Sequence, residues 1–243
     1  MASDAVVVRN LSFCWPGKEP LLQDISFCVK QGEILVIAGH SGCGKSTLCS
    51  ILCGIIPNSV KGEVRGTVEL MGQDLREMSL PRIAQQAGMV FQNVDMQFVC
   101  TTVEDELAFG LENLCVDPEE IRRWVEEALR EWNLQPLRLR DPGSLSGGQK
   151  RIVAMASILI LNPPVIILDE PVSHLDEPGR ELVRSAAEKL RRQGRTIVMV
   201  EHDLSLVTYA DRWLLIDGGT AAAENTPEYF RVNPEILRRL ELI

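Results

Sequence analysis

The sequence lacks an apolar run long enough to cross a membrane. Its longest apolar stretch, residues 152–161, contains Ser157 and is followed by Asn162 and Pro163, whereas a spanning helix needs about 20 apolar residues. The N-terminus has no charged start followed by an apolar block, so a secretory signal is not expected. Basic residues are not in excess, since the formal net charge is −9. We therefore expect no nucleic-acid partner.

A disulfide framework is also missing. The seven cysteines are odd in number and scattered along the chain. With 243 residues, 45% of them hydrophobic, the chain can bury a core without covalent cross-links. Cys49 and Cys53 share one face of a predicted helix, but no His or further Cys lies at ligand spacing, which favours core packing over a metal site. We expect free thiols in a reducing cytoplasm.

The sequence does contain a glycine-rich segment, G-H-S-G-C-G-K-S at residues 39–46, directly after an apolar run. It fits the spacing G-x-x-x-x-G-K-[ST] between a buried strand and a helix. Glycines let the backbone wrap around phosphate oxygens, and the N-terminus of the helix attracts the anion. We predict that Lys45 contacts the β- and γ-phosphates and that Ser46 binds Mg²⁺. The predicted nucleotide-binding residues here are Gly39, Ser41, Gly42, Cys43, Gly44, Lys45, Ser46 and Thr47. A chance glycine-rich turn is the alternative.

Strands alternate with helices over most of the chain. The patterns predict strands at residues 6–8, 26–29, 34–38, 64–70, 88–91, 165–168 and 196–200. They predict helices at residues 47–56, 118–132, 148–161 and 178–193. Such alternation is typical of a parallel sheet covered on both faces. A helical stretch between about residues 93 and 162 interrupts it, which indicates an inserted lobe.

The apolar strand V-I-I-L at residues 165–168 ends in two carboxylates, Asp169 and Glu170. In a phosphate-loop fold, the carboxyl end of such a strand holds the first carboxylate in the shell of Mg²⁺. We predict that role for Asp169, and for Glu170 the role of a general base that polarises the attacking water. A solvated strand end is the alternative, although a buried acidic pair is costly unless it serves a cation. Together with Lys45 and Ser46, the pair favours hydrolysis over nucleotide storage.

The segment L-S-G-G-Q at residues 145–149 lies at the start of a predicted helix. Between a phosphate loop and a strand that ends in D-E, it resembles the signature of ATP-binding-cassette (ABC) ATPases. A helix N-terminus aimed at phosphate explains the chemistry, with Ser146 and the N–H of Gly148 as donors. A serine N-cap followed by flexible glycines is the local alternative. The resemblance implies that Ser146, Gly147, Gly148 and Gln149 contact ATP held by a partner subunit, in a head-to-tail dimer with two shared sites.

The resemblance also implies a fold and a division of the chain. The expected fold is α/β, a P-loop NTPase with a RecA-like core, an N-terminal antiparallel β part and an inserted α-helical lobe. Residues 1–243 would form a single ABC ATPase domain. About residues 1–92 and 163–243 would be the nucleotide-binding core, and about residues 93–162 the helical lobe with the signature.

Further residues match landmarks of the family. Gln92 follows a predicted strand and matches the catalytic glutamine that touches Mg²⁺ and water. His202 also follows a strand and matches the histidine that contacts the γ-phosphate and orients Glu170. The segment S-H-L-D at residues 173–176 resembles the loop that crosses the dimer interface, with His174 in place of the commoner alanine. The implied cofactors are ATP and Mg²⁺.

An aromatic residue near the N-terminus is expected to stack on adenine. Trp15 aligns with the family's stacking aromatic, which is usually a tyrosine. Stacking needs only a flat ring, so tryptophan can serve. Phe13 is the competing candidate, although strand alternation would bury it.

The segments at residues 90–98 and 102–113 resemble ATPases of energy-coupling-factor (ECF) importers, which take up vitamins or transition-metal ions. Val94 and Met96 depart from the usual pattern. In that family this surface receives helices of a membrane partner, and Met96, Phe98 and Phe109 would form such an apolar patch. Alternatively, these residues fill the lobe's own core. The resemblance implies a peripheral protein on the cytoplasmic face of the cell membrane, with membrane contact only through its partner.

Several alternatives stay open at this stage. The ATPase of an exporter or of a binding-protein-dependent importer, a soluble non-transport ABC protein and a weakly active regulatory cassette all share the nucleotide motifs. The insertion at residues 57–66 also resembles one half of fused, two-cassette versions. The sequence names neither the cargo nor the identity of the second cassette.

Overall fold

The computed structural model describes residues 3–173 and 175–243. The strands are β1 (Asp4–Cys14), β2 (Pro20–Lys30), β3 (Ile34–Gly39), β4 (Glu63–Leu70), β5 (Gln73–Asp74), β6 (Ala87–Val90), β7 (Val165–Asp169), β8 (Thr196–Val200), β9 (Arg212–Asp217) and β10 (Thr220–Asn225). The helices are α1 (Lys45–Leu52), α2 (Ile55–Asn58), α3 (Leu80–Gln86), α4 (Val103–Asn113), α5 (Pro118–Glu131), α6 (Gly147–Leu159), α7 (Glu177–Arg192), α8 (Pro227–Val232) and α9 (Pro234–Arg239). The expected α/β fold is confirmed.

A six-stranded sheet, in the order β10-β9-β3-β8-β7-β6, positions the functional residues. Strands β3, β6, β7, β8 and β9 run parallel to their neighbours, and β10 pairs antiparallel with β9 at the edge. Every residue of β3, β7 and β8 is buried, as expected for strands covered on both faces. Because parallel strands end on one edge, the residues that follow these three strands meet there.

A second sheet, in the order β2-β1-β4-β5, forms the expected N-terminal antiparallel part. Strand β1 pairs antiparallel with both β2 and β4. Its inward side chains, among them Val6 and Leu11, belong to the same buried cluster as Leu35 of β3 and Leu48 of α1. The antiparallel sheet is therefore packed against the strand and helix on either side of the glycine-rich segment.

Helices α4, α5 and α6 lie between β6 and β7. Each begins at a capping side chain that accepts a backbone N–H: Thr102, Asp117 and Ser146 respectively. The three helices share a buried cluster with Val36 of β3 and Leu168 of β7, which joins them to the sheet. No helix in the described part of the chain has both the length and the apolar composition needed to cross a membrane.

The predicted continuous helix over residues 47–56 is wrong. Helix α1 ends at Leu52, and α2 begins at Ile55. Gly54 between them has φ 68°, in the left-handed region that glycine adopts most easily. A Cβ atom at Gly54 would also lie 2.6 Å from Cδ1 of Ile83. The turn at this glycine therefore ends the helix that the apolar pattern extends. The prediction also omits α3, β5, β9 and β10.

Candidate active site

The glycine-rich segment connects β3 to α1, as predicted. Gly44 precedes α1 with φ 101°, and a Cβ atom there would lie 2.6 Å from Cδ2 of Leu22. Glycine is therefore required at this position for both backbone and steric reasons. The segment's loop and the start of its helix carry the predicted residues Gly39, Ser41, Gly42, Cys43, Gly44, Lys45, Ser46 and Thr47.

The ammonium group of Lys45 lies inside this loop. Its Nζ donates hydrogen bonds of 2.7 Å to the carbonyl oxygen of Gly39 and 2.8 Å to that of His40. The side chain is buried, and the half-buried Cys43 thiol lies 3.9 Å from the same nitrogen. Burial raises the pKa of Cys43. The loop thus holds one cation beside a neutral thiol.

Ser46 and Asp169 come together across α1 and β7. The Ser46 hydroxyl donates to Oδ1 of Asp169 at 3.1 Å. Burial raises the pKa of Asp169, and the hydrogen bond from Ser46 partly offsets this effect. A hydroxyl and a carboxylate are hard oxygen ligands of the kind that Mg²⁺ takes, usually one or two per site with phosphate and water completing the shell. The residues present therefore fit a magnesium ion. Within residues 3–173 and 175–243, no group of three or more His, Cys, Asp or Glu side chains forms an all-protein metal site.

Glu170 follows β7 in a strained conformation. Its φ is 46°, a left-handed value that costs a non-glycine residue about 1–2 kcal/mol. The backbone N–H of Glu170 donates to the carbonyl of Val200 in the neighbouring strand β8 at 3.0 Å. Strain at a site residue is typical of a functional constraint, and here it aims the carboxylate across the end of the sheet.

The carboxylate of Glu170 is a meeting point of three segments. Its Oε2 accepts a hydrogen bond of 2.6 Å from Nε2 of Gln92 and one of 3.0 Å from the hydroxyl of Ser173. Nδ1 of His202 lies 3.8 Å from the same oxygen. Gln92, Glu170 and His202 also line one cleft together with Gly39 and Ser41. The structure thus brings the predicted catalytic side chains to the phosphate-binding loop. Glu241 and Leu242, which follow α9, line that cleft too, and nothing in their local sequence indicates it.

The signature segment caps α6 away from this cleft. Ser146 and Gln149 form a reciprocal capping box, in which Ser146 N–H donates to Gln149 Oε1 at 3.1 Å. Gly147 lines a separate cleft with Gln92 and Lys150. Among the described residues, no hydrogen bond joins residues 146–149 to residues 39–47. Gly147 of the signature segment and the loop residues Gly39 and Ser41 thus line different clefts.

The predicted interface loop and adenine-stacking residue have distinct environments. In residues 173–176, Asp176 caps α7, whereas His174 lies outside the described residues. Phe13 is buried, and Trp15 is only partly buried, with its ring perpendicular to that of Phe13 and 4.8 Å from it. Only Trp15 of the two presents a ring to solvent.

The apolar residues after β6 divide into two groups. Met96 and Phe109 are exposed, at 83% and 39% of their surface. Phe98 is partly buried and packs against the main hydrophobic cluster. The exposed residues could receive a partner, whereas Phe98 contributes to the core of its own chain.

Two buried charged residues near the site are missed by the sequence reasoning. Glu201 is fully buried and Arg151 nearly so. Glu201 Oε1 accepts the N–H of Val172 at 3.2 Å, and Arg151 donates to the carbonyl of Ser173 at 3.3 Å. The signal for Glu201 is its place directly between the fully buried strand β8 and His202.

Comparisons with known proteins agree with this geometry. The family model described as ABC transporter matches residues 22–173. An ATP-binding protein of the energy-coupling factor transporter, EcfA1 of Bacillus subtilis, is 44% identical over 220 residues, which are 89% of this chain and 76% of that protein. Two relatives from Methanosarcina acetivorans and Methanosarcina mazei are longer, and the chain covers only 37% and 42% of their length.

Two solved structures resemble the whole chain. The CbiO1 protein of Clostridium perfringens, part of the ABC transporter complex CbiONQ, matches with a TM-score of 0.81 and 28% identity over 98% of this chain and 95% of that one. A dimeric ATP-binding cassette in a post-hydrolysis state, with ADP and phosphate bound, matches with a TM-score of 0.77 and 27% identity over 91% of this chain and 98% of that one. The chain, which carries the nucleotide motifs in this shared fold, is therefore an ATP-hydrolysing member of the ABC transporter family.

Proposed function

We propose that the chain is the ATPase subunit of an ECF-type importer. The observation that carries this proposal is the 44% identity to EcfA1 of Bacillus subtilis over most of both chains. The likeness to CbiO1, which belongs to a transporter complex, supports it. The cargo would be a vitamin or a transition-metal ion bound by membrane partners, and the cassette would supply the energy.

In the proposed mechanism, Glu170 acts as the general base. Its carboxylate is held by Gln92 and Ser173, and its place at the end of β7 would let it polarise a water aimed at the γ-phosphate. Lys45 and His202 would stabilise charge on the phosphate oxygens. Phosphoryl transfer depends mainly on positioning and charge stabilisation, and this set of side chains supplies both.

Ser46, Asp169 and Gln92 would hold Mg²⁺. The short distance between Ser46 and Asp169 and the burial of Asp169 support this assignment. When bound, the ion would neutralise charge on the β- and γ-phosphate oxygens. Trp15 would stack on adenine, since its ring is accessible and that of Phe13 is not.

We also propose that two cassettes share each nucleotide. Residues 146–149 make no hydrogen bond to the phosphate loop of their own chain within the described residues, so Ser146 and the backbone N–H groups at the start of α6 would act on ATP held by a second cassette. About residues 93–162 would then be a lobe that carries this signature, and about residues 1–92 and 163–243 the core. ATP closes the pair if it binds the closed state more tightly than the open one.

The exposed patch after β6 would contact an integral membrane protein. Met96 and Val99 are 83% and 65% exposed, and they follow Gln92 closely in the chain. Exposed apolar groups in this density are typical of a protein contact. The chain would thus lie at the cytoplasmic face of the membrane through its partner.

Affinity purification from mildly solubilised membranes of the native host tests the proposal. We expect a polytopic coupling protein, a small membrane protein that binds the cargo, and a second cassette to copurify with the tagged chain. An untagged strain is the control for carry-over. Reproducible recovery of only ribosomal or other soluble partners would contradict the transporter assignment and leave the ATPase assignment intact.

A further inference from the structure

Glu201 is a buried carboxylate for which the mechanism above has no role. Its side chain has no exposed surface, and its Oε1 accepts the backbone N–H of Val172. Its other oxygen, Oε2, is buried without a hydrogen-bond partner among the described residues. A buried polar atom left unpaired is costly, so its place in this site calls for a function.

The imidazole of His202 lies close to Oε2. Nδ1 of His202 lies 3.9 Å from Glu201 Oε2 and 3.8 Å from Glu170 Oε2. Glu170 Oε2 already accepts two hydrogen bonds, from Gln92 and Ser173, whereas Glu201 Oε2 accepts none from the part of the chain that the structure describes. The unoccupied oxygen of Glu201 is therefore the better acceptor for an Nδ1–H.

The imidazole can reach this acceptor with a small movement. The His202 side chain is 58% exposed, so the ring has room to move. A shift of about 1 Å brings Nδ1 from its present distance into the usual hydrogen-bond range. Glu201 cannot move as easily, because it is fully buried and tied to Val172.

Several groups act on the charge of Glu201. Burial is the main cause that raises the pKa of Glu201 to about 7, and the charge of Glu170 raises it further. The backbone N–H groups of Val172 and His202 and the charge of Arg151 lower it. Arg151 comes from α6 and donates to the carbonyl oxygens of Phe91 and Ser173 at 3.4 and 3.3 Å. An imidazolium at His202 would add a second cation to this buried group and favour the ionised carboxylate.

We propose that Glu201 is a positioning residue for His202, whose Nδ1–H it accepts so that Nε2 faces the γ-phosphate. The proposal rests on the role of His202 in the proposed function. A carboxylate behind an imidazole fixes the tautomer, orients the ring and favours the imidazolium. The second nitrogen then carries a proton to donate to phosphate. Because Glu201 also holds Val172, one side chain would fix both His202 and the loop after Glu170.

Steady-state ATPase kinetics of a double-mutant cycle test this role. Glu201→Gln keeps the size of the side chain and lowers kcat by about 10- to 100-fold, as expected for loss of an outer-shell partner, with little change in KM for ATP. In the His202→Ala background, Glu201→Gln has no further effect, because its effect passes through His202. An equal loss in both backgrounds would mean a structural role and would overturn the proposal.

Glu33→Gln is the matched control. Glu33 is also buried, accepts the backbone N–H of Lys30 at 2.7 Å and pairs with Arg212 at 2.7 Å, but it lies at the other end of β3. We expect kcat of this variant to stay within about threefold of the wild-type value, a much smaller change than the 10- to 100-fold loss expected for Glu201→Gln. A loss as large as that of Glu201→Gln would show that removal of any buried carboxylate suffices, and it would overturn the proposal.

NMR of protein labelled with ¹⁵N-histidine reports the tautomer of His202. It can be measured in the wild-type protein, so the test does not depend on whether a Glu201 variant folds. The chain has three histidines, and loss of one signal set in His202→Ala assigns that residue. We expect the neutral ring of His202 to carry its proton on Nδ1 in the wild type and on Nε2 in Glu201→Gln. An Nε2–H tautomer in the wild type overturns the inference. If His202→Ala hydrolyses ATP at the wild-type rate, the role of His202 in the proposed function is wrong, whatever its tautomer. The tautomer of His202 tests the role of Glu201 separately, so the two proposals can fail independently.

Discussion

Nε2 of Gln92 donates a hydrogen bond of 2.6 Å to Oε2 of Glu170. Gln92 follows β6, where the helical segment begins, and Glu170, the proposed general base, follows β7. A movement of the helical segment would therefore shift the Glu170 carboxylate through its hydrogen bond with Gln92. A partner that binds the exposed patch near Met96 would therefore bind close to the proposed general base, Glu170.

Trp15 is predicted to supply most of the stacking energy for adenine. Trp15→Ala should weaken ATP binding by about 1–3 kcal/mol, which is roughly 5- to 150-fold in Kd. Isothermal titration calorimetry measures this change, and Trp15→Tyr should restore most of the affinity. Trp124→Ala, in α5, is the control for loss of a tryptophan. Wild-type affinity in Trp15→Ala would disprove the stacking role.

Gly44→Ala should destabilise the phosphate loop and abolish tight ATP binding. The new methyl group meets Leu22 Cδ2 at 2.6 Å, and φ is 101°. Gly17→Ala is the matched control, because Gly17 has φ 68° with no atom within 4 Å of its Cβ position. Thermal unfolding should show a Tm several degrees lower for Gly44→Ala than for Gly17→Ala. Equal values would mean that the contact with Leu22 relaxes freely.

The carboxyl of Glu201 should make stability depend on pH. Its pKa is raised from 4.5 to about 7, so above pH 4.5 the folded protein binds more protons than the unfolded chain, and stability falls as pH rises toward 7. Glu201→Gln removes this pH-dependent loss of folding free energy, which amounts to about 3 kcal/mol at most. Urea unfolding at pH 5 and pH 8 should show the variant gaining on the wild type as pH rises. A difference in unfolding free energy between variant and wild type that does not change with pH would contradict the raised pKa of Glu201.

Met96→Asp should abolish recovery of the membrane partner. A charge at an 83% exposed apolar residue would be buried in the proposed contact, which is costly without a partner charge. Copurification from membranes, quantified against the wild type, measures the effect. Val232→Asp, at another exposed apolar residue, should copurify normally. Equal recovery for both variants would remove the patch from the interface.

The local motifs of the site could be predicted from the sequence, because each depends on neighbouring residues. Lys45 and Ser46 are fixed by a glycine-rich turn between a strand and a helix, and Asp169 and Glu170 by the end of an apolar strand. The parallel sheet followed from the alternation of strands and helices, and the N-terminal antiparallel part was implied by the family resemblance. The hydrogen bond of 2.6 Å from Gln92 to Glu170 is a contact that the sequence analysis did not predict.

The features that escaped prediction depend on contacts between distant segments. The burial of Arg151 depends on contacts of α6 with distant segments, such as the carbonyl oxygens of Phe91 and Ser173, whereas Glu201 has a local signal in its place directly after β8. The end of α1 at Leu52 follows from the close contact of Gly54 with Ile83, from another helix. Strands β9 and β10 were missed because they gain their places by pairing, β9 with the distant strand β3 and β10 with β9.

Phosphate release by the purified protein, beside Glu170→Gln, tests the central claim most directly. The account predicts Mg²⁺-dependent release by the wild type and a fall of about 10²- to 10⁴-fold in the variant. ATP should bind the variant with undiminished affinity, because the amide keeps the size of the carboxylate. Equal rates of release in the two proteins would contradict the assignment of Glu170 as the general base.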